Sequence, residues 1–228
     1  MDSISTFLQN FDLTRVVTLL IQIVAALLCV SLHEMGHGYV AWLMGDATAK
    51  SRGRVSMNPL RHIDPLGLLL LIVAGFGWAK PVPVDMSRFK RPKLGMALTA
   101  LAGPVSNFLM GTAALALASG MLHFFQEQLT SMGGYYAFLF LVRIAMLSVG
   151  LGMFNLIPIP PLDGSKVLFA LLPDNLYHII LRYERYVMLL LFALVFTNVL
   201  DGPLSVMLDW GLRVLCRLTG FPAEIIGV

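Results

Sequence analysis

Long apolar runs alternate with short polar segments along this chain. The first run extends from about Val16 to Met44, interrupted only by Gln22, Ser31 and the cluster His33-Glu34-His37. Comparable runs cover about 94–122, 135–157 and 186–206. A helix needs about 20 apolar residues to cross the ~30 Å hydrocarbon layer, and each run meets that. The segment Leu66–Ala79, at about 14 residues, is short for a span. It holds Gly67, Gly75 and Gly77 and leads into Lys80-Pro81-Val82-Pro83-Val84, a density of glycine and proline that opposes a regular helix. The pattern predicts a re-entrant hairpin over 66–84. Such backbone is tolerated at membrane depth only where protein or water covers it. Pro158, Pro160 and Pro161 stop the third span, and the tail from Asp209, with Arg213 and Arg217, reads as interfacial.

The expected fold is therefore all-α and integral to a membrane: one domain over 1–228, with about four transmembrane helices and a hairpin between the first and second. Composition agrees. Hydrophobic residues make up 57% and charged residues 13%, against about 25% charged in soluble domains. The first run is too long for a cleaved signal peptide, and neither a basic flank nor an A-x-A site accompanies it. Cys29 and Cys216 are too far apart in sequence to suggest a disulfide framework and read as two free thiols.

A net charge of +3 at pH 7 raises the question of nucleic acid. Its distribution answers no. The basic residues sit beside apolar runs: Lys50, Arg52, Arg54 and Arg61; Lys80, Arg88, Lys90, Arg91 and Lys93; Lys166, Arg182 and Arg185. Segments 1–15 and 123–134 contribute only Arg15. By the positive-inside rule the first three groups lie in the cytoplasm and the N-terminus outside. This holds only if 66–79 turns back on itself, since a true span there would export Arg88–Lys93.

The first span carries His33-Glu34-Met35-Gly36-His37, an H-E-x-x-H. Residues four apart share a helix face, so both imidazoles can reach one metal ion, and Glu34 beside them is placed to take a proton from water. Zinc lowers the pKa of a water it holds toward ~7. Ionisable groups inside an apolar helix are costly and by default functional. Zinc needs a third protein ligand with one position left open. The best candidate is Asp163, in Phe154-Asn155-Leu156-Ile157-Pro158-Ile159-Pro160-Pro161-Leu162-Asp163-Gly164, where prolines leave a rigid extended segment. On spacing alone, Asp163-Gly164 is also a plausible turn in which the Asp is only a local cap.

The pairing of H-E-M-G-H in a first span with F-N-L-I-P-I-P-P-L-D-G after a later one resembles the site-2 proteases, the intramembrane zinc metalloproteases of peptidase family M50. The resemblance covers roughly residues 16–170. It implies that His33, His37 and Asp163 bind one Zn2+ per chain and that Glu34 acts as general base and then proton donor. Asn155 matches a family position where an amide donates to the carbonyl oxygen as it becomes tetrahedral; otherwise it caps a broken helix end. Gly77-Trp78-Ala79-Lys80-Pro81-Val82-Pro83 resembles the family's re-entrant element, which presents a strand edge to the substrate; the alternative is an interface loop anchored by Trp78. Leu101-Ala102-Gly103-Pro104-Val105-Ser106-Asn107 resembles another family stretch, with Gly103 and Pro104 structural and Asn107 either a helix–helix hydrogen bond or a site residue. The PDZ or CBS-type domains of larger relatives are absent from this sequence.

His62 and Asp64, in a loop near the active end, read as fixing a turn, with a second metal, a cover or a gate as alternatives. Arg143, inside the third span, reaches outward or pairs with Glu127. The resulting expectation is a multi-pass protein of a prokaryotic cell membrane, active near the cytoplasmic side. It cuts transmembrane protein substrates by metal-activated water, needs no nucleic acid, and is compatible with a homo-oligomer. The rival is a catalytically silent zinc-binding membrane adaptor, which would have no need of Glu34. A transporter is disfavoured by the lack of repeats and of a polar path across the bilayer.

Overall fold

A computed structural model describes residues 12–67 and 79–228. Their main elements are α1 (Leu13–Leu43), α2 (Pro92–Phe124), α3 (Met132–Asn155), the short α4 (Asp163–Ala170), α5 (Asp174–Phe196) and α6 (Asp201–Thr219). Apart from one isolated bridge, the described residues form no strand. Helices α1, α2 and α3 are each long and apolar enough to cross a membrane. The architecture is an all-helical membrane fold.

Each long helix begins slightly earlier than its apolar run, because local chemistry starts it. The Asp12 carboxylate accepts from the N–H groups of Thr14 (3.0 Å) and Arg15 (3.3 Å) at the head of α1. Pro92 opens α2 at a position where the missing N–H costs nothing. The Ser131 hydroxyl accepts from Gly134 N–H (3.1 Å) before α3. Helix α2 packs between α1 and α3. Alanines fill much of the contact (Ala25, Ala114, Ala118 and Ala145 are buried with Leu115 and Val149), which lets the backbones approach closely. In lipid that close packing, rather than exclusion of water, drives association. Cys29 and Cys216 are buried free thiols, as expected.

The fourth span differs from expectation. The continuous helix over 186–206 is instead a pair, Arg185–Phe196 and Asp201–Thr219, bent by 85°. The break has a local cause. Asn198 adopts a left-handed backbone (φ 57°), which no helix interior accommodates, and Pro203 in the first turn of α6 favours a fresh start. The tail from Asp209 is helical, the greater part of α6. Leu212, Leu215 and Cys216 on α6 are buried against the core.

Residues 68–78, most of the predicted hairpin, lie outside the described residues, Trp78 and Gly77 among them. The described residues on either side of that segment meet. Ile63 and Ala79 form the antiparallel bridge, and Lys80 N–H donates to the His62 carbonyl (2.8 Å). The chain thus returns at 79 beside the place it left at 63.

Candidate metal centre and active site

His33 and His37 occupy successive turns of α1, about 15 and 9 Å from its C-terminal end at ~1.5 Å per residue. Their rings meet edge-on, centroids 4.6 Å apart and planes at 90°. The Nε2 atoms of both lie 3.1 Å from Asp163 Oδ2. All three residues are buried, and one ligand atom from each falls within 4.8 Å of the others.

Asp163 is the first residue of α4, not a cap on a free turn. Gly164 makes the position available. A Cβ there would lie 2.2 Å from the Leu156 carbonyl oxygen, so only glycine lets α4 start against the end of α3. Lys166 Nζ donates to Asp163 Oδ1 (3.1 Å), leaving Oδ2 for the imidazoles. Burial alone would raise the pKa of this carboxyl, but its contacts with the His33 and His37 imidazoles, with the Lys166 charge, hold it far below the usual carboxylate range.

The opposing helix is built to match. Thr99, Gly103 and Asn107 are spaced by four residues and so form one stripe on α2. The Thr99 carbonyl accepts from His37 Nδ1 (2.7 Å). Asn107, fully buried, sets its amide nitrogen 3.1 Å from His33 Nδ1. Between them Gly103 leaves the space the rings occupy, for a Cβ would lie 2.5 Å from His37 Cε1 and 2.6 Å from His33 Cε1. The sequence reading of Gly103 as structural thus acquires a specific reason, and Asn107 makes the helix–helix hydrogen bond that was one of its two readings, to a candidate ligand.

These residues fit zinc. Two imidazoles turn Nε2 toward one carboxylate oxygen, and the Thr99 carbonyl fixes the His37 proton on Nδ1, which leaves the Nε2 lone pair for a metal. Two imidazole nitrogens and one carboxylate oxygen match the ligand types zinc takes.

Glu34 lies outside the ligand cluster. Its Oε2 accepts from the backbone N–H of Val82 (3.1 Å), in the extended strap 79–85. The strap is tied down on all sides. The buried Arg54 guanidinium donates to the carbonyls of Lys80 and Pro81 (3.3 Å to the latter). At its far end Asp85 N–H donates to Asp46 Oδ2 (2.7 Å), and Asp46 is fully buried. Burial would raise the Asp46 carboxyl, yet the bonds from Asp85 N–H and from Thr48 lower it below its ordinary value. Arg54 and Asp46 were not singled out in the sequence. The only signal for them is a basic or acidic residue that proves buried, and burial of such a residue becomes visible only in the fold.

Other candidates have plainer places. Asn155, the last residue of α3, donates from Nδ2 to the Leu151 carbonyl (2.9 Å) in its own helix. His62 Nε2 bonds the Ser56 carbonyl (2.8 Å), and Asp64 accepts from the N–H groups of Leu66 and Gly67. Both shape the loop, as the turn reading expects. Arg143 keeps a buried Nε without a hydrogen-bond partner.

The profile of peptidase family M50 matches residues 21–197, from the first span to the end of α5. The chain belongs to peptidase family M50. Among relatives, it is 35% identical over 196 residues to the Bacillus subtilis protein named "Putative zinc metalloprotease YwhC", covering 86% of this chain and 89% of that one. It is 31% identical over 147 residues to the "Putative zinc metalloprotease Rip2" of Mycolicibacterium smegmatis, 62% of this chain and 53% of that one. It is 30% identical over 143 residues to the "Zinc metalloprotease MJ0392" of Methanocaldococcus jannaschii, 63% of this chain and 32% of that one. No solved structure matches the chain. These relatives are named as zinc metalloproteases, two of the three with the word "putative", and membership of M50 makes this chain a membrane metalloprotease by family.

Proposed function

We propose that this M50 chain is an intramembrane zinc endopeptidase, with His33, His37 and Asp163 holding one zinc ion and Glu34 serving as general base and then proton donor, and that its substrates are membrane-spanning proteins. The convergence of three ligand atoms from α1 and α4 within 4.8 Å carries the reading. Zinc in that position supplies Lewis acidity toward a peptide carbonyl and toward water. The residues do the rest. His33 and His37 hold fixed orientations against α2, and Asp163 closes the donor set from the far side. Glu34, its Oε2 held by Val82 N–H, takes a proton and returns it to the departing amine. Asn155, released from Leu151, donates from Nδ2 to the substrate carbonyl oxygen as charge develops there.

The site lies toward the α1 end that leads into the Lys- and Arg-rich loops, which supports a cytoplasmic active side in a cell membrane. The test is cleavage of a single-span substrate by the chain reconstituted in lipid, with zinc measured in the same samples. Asp163→Ala should lose zinc. Glu34→Gln should keep zinc and lose about 10²–10⁴-fold in rate. Cleavage by Glu34→Gln at the parent rate would overturn the assignment.

A further inference from the structure

The two imidazoles are held differently, and the difference points beyond the ligand set. His37 Nδ1 faces a backbone carbonyl, which can only accept, so its proton sits on Nδ1. His33 Nδ1 faces a side-chain amide, which can donate or accept according to which end it presents. Asn107 turns Nδ2 toward Nδ1 at 3.1 Å, while its Oδ1, fully buried, has no hydrogen-bond partner. A buried acceptor left unmade costs about 1–3 kcal/mol. A half-turn of the amide exchanges its two ends, so that Nδ2 takes the unpartnered position. It brings Oδ1 to Nδ1, provided the imidazole proton is there, and a proton on Nδ1 is the condition for Nε2 to offer its lone pair.

We propose that Asn107 is the positioning residue of His33, with Oδ1 accepting the Nδ1 proton and thereby committing Nε2 to zinc. This rests on the reading of His33, His37 and Asp163 as the zinc site. The contact of the buried Asn107 amide with His33 Nδ1 is the observation that carries it, since an imidazole that offers Nε2 to a metal carries its proton on Nδ1, where this amide is the group placed to accept it. The register supports it. Thr99 and Asn107 stand on either side of Gly103 on one face of α2, opposite His37 and His33 respectively, so each imidazole has its own partner at Nδ1. Asn107 does not touch the reacting atoms; it acts through His33.

The proposal predicts a loss of metal affinity that an acceptor rescues. The full chain in detergent, titrated with zinc against a chromophoric chelator, should bind one equivalent. Asn107→Leu, of similar size but without an acceptor, should bind zinc about 10- to 100-fold more weakly. Asn107→Asp, which keeps an oxygen at the Oδ1 position, should restore binding to within a few-fold of the parent. In the zinc-loaded parent with 15N-labelled histidine, His33 should show a protonated Nδ1; this measurement needs no variant and decides the matter if Asn107→Leu does not fold. Equal affinity for parent and Asn107→Leu, equal weakness of both variants, or an unprotonated His33 Nδ1 would each overturn the role of Asn107 while leaving the zinc site standing. A parent that binds no zinc would instead bring down the site itself.

Discussion

The candidate ligands and the candidate base are held by opposite means. His33, His37 and Asp163 are buried side chains pressed together by helices, with Gly103 and Gly164 allowing the approach. Glu34 is held by one backbone N–H of an irregular strap, which Arg54 and Asp46 fasten from outside the bundle. Packed interiors resist small displacements. A strap held by a few polar bonds yields more readily. The comparison teaches that metal geometry and proton transfer can be disturbed separately: core changes should strip the metal, and strap changes should slow turnover while leaving it bound.

The largest effect is expected at Gly103. Gly103→Val drives side-chain atoms into both imidazoles, so zinc affinity should fall beyond the ~10–100-fold typical of losing a supporting contact. Metal titration checks this, and retention of zinc at parent affinity would erase the distinction. A smaller effect is expected at Arg54. Arg54→Ala frees the carbonyls of Lys80 and Pro81, lets Val82 drift from Glu34, and should lower kcat by about 10- to 100-fold. Zinc content should stay unchanged, and a variant that loses metal in proportion to rate would show that strap and core are one unit.

The smallest effect is a pH dependence at the strap's end. Asp46 has its carboxyl depressed below the ordinary value. The attachment it provides is therefore complete above the ordinary value of ~3.9 and is lost only as pH falls through the depressed one. Limited proteolysis between 79 and 88 should increase below about pH 4 in the parent, and at all pH values in Asp46→Asn. Unchanged cleavage in that variant would remove Asp46 from the clamp.

Much of this was legible in the sequence because it rests on local periodicity. H-E-x-x-H announces its own geometry, since four residues on a helix bring two imidazoles to one face. Asp163 stood out through the prolines before it. What was not legible depends on partners far along the chain. Arg54 meets carbonyls 26 and 27 residues away, and Asp46 meets an amide 39 residues away. In the sequence both look like ordinary loop charges. The 85° bend before α6 was missed because hydropathy reports apolarity, which continues through Asn198, and not backbone direction.

His33 and Asp163 are separated by 130 residues. During synthesis the histidine pair enters the bilayer while the carboxylate that completes it has yet to be made. The first helix must therefore be threaded and parked with its imidazoles half-furnished until two further crossings and the proline segment have followed. With His33, His37 and Asp163 as the proposed ligands, ion capture would be a late milestone of assembly, open only to chains whose membrane insertion has run through to Asp163.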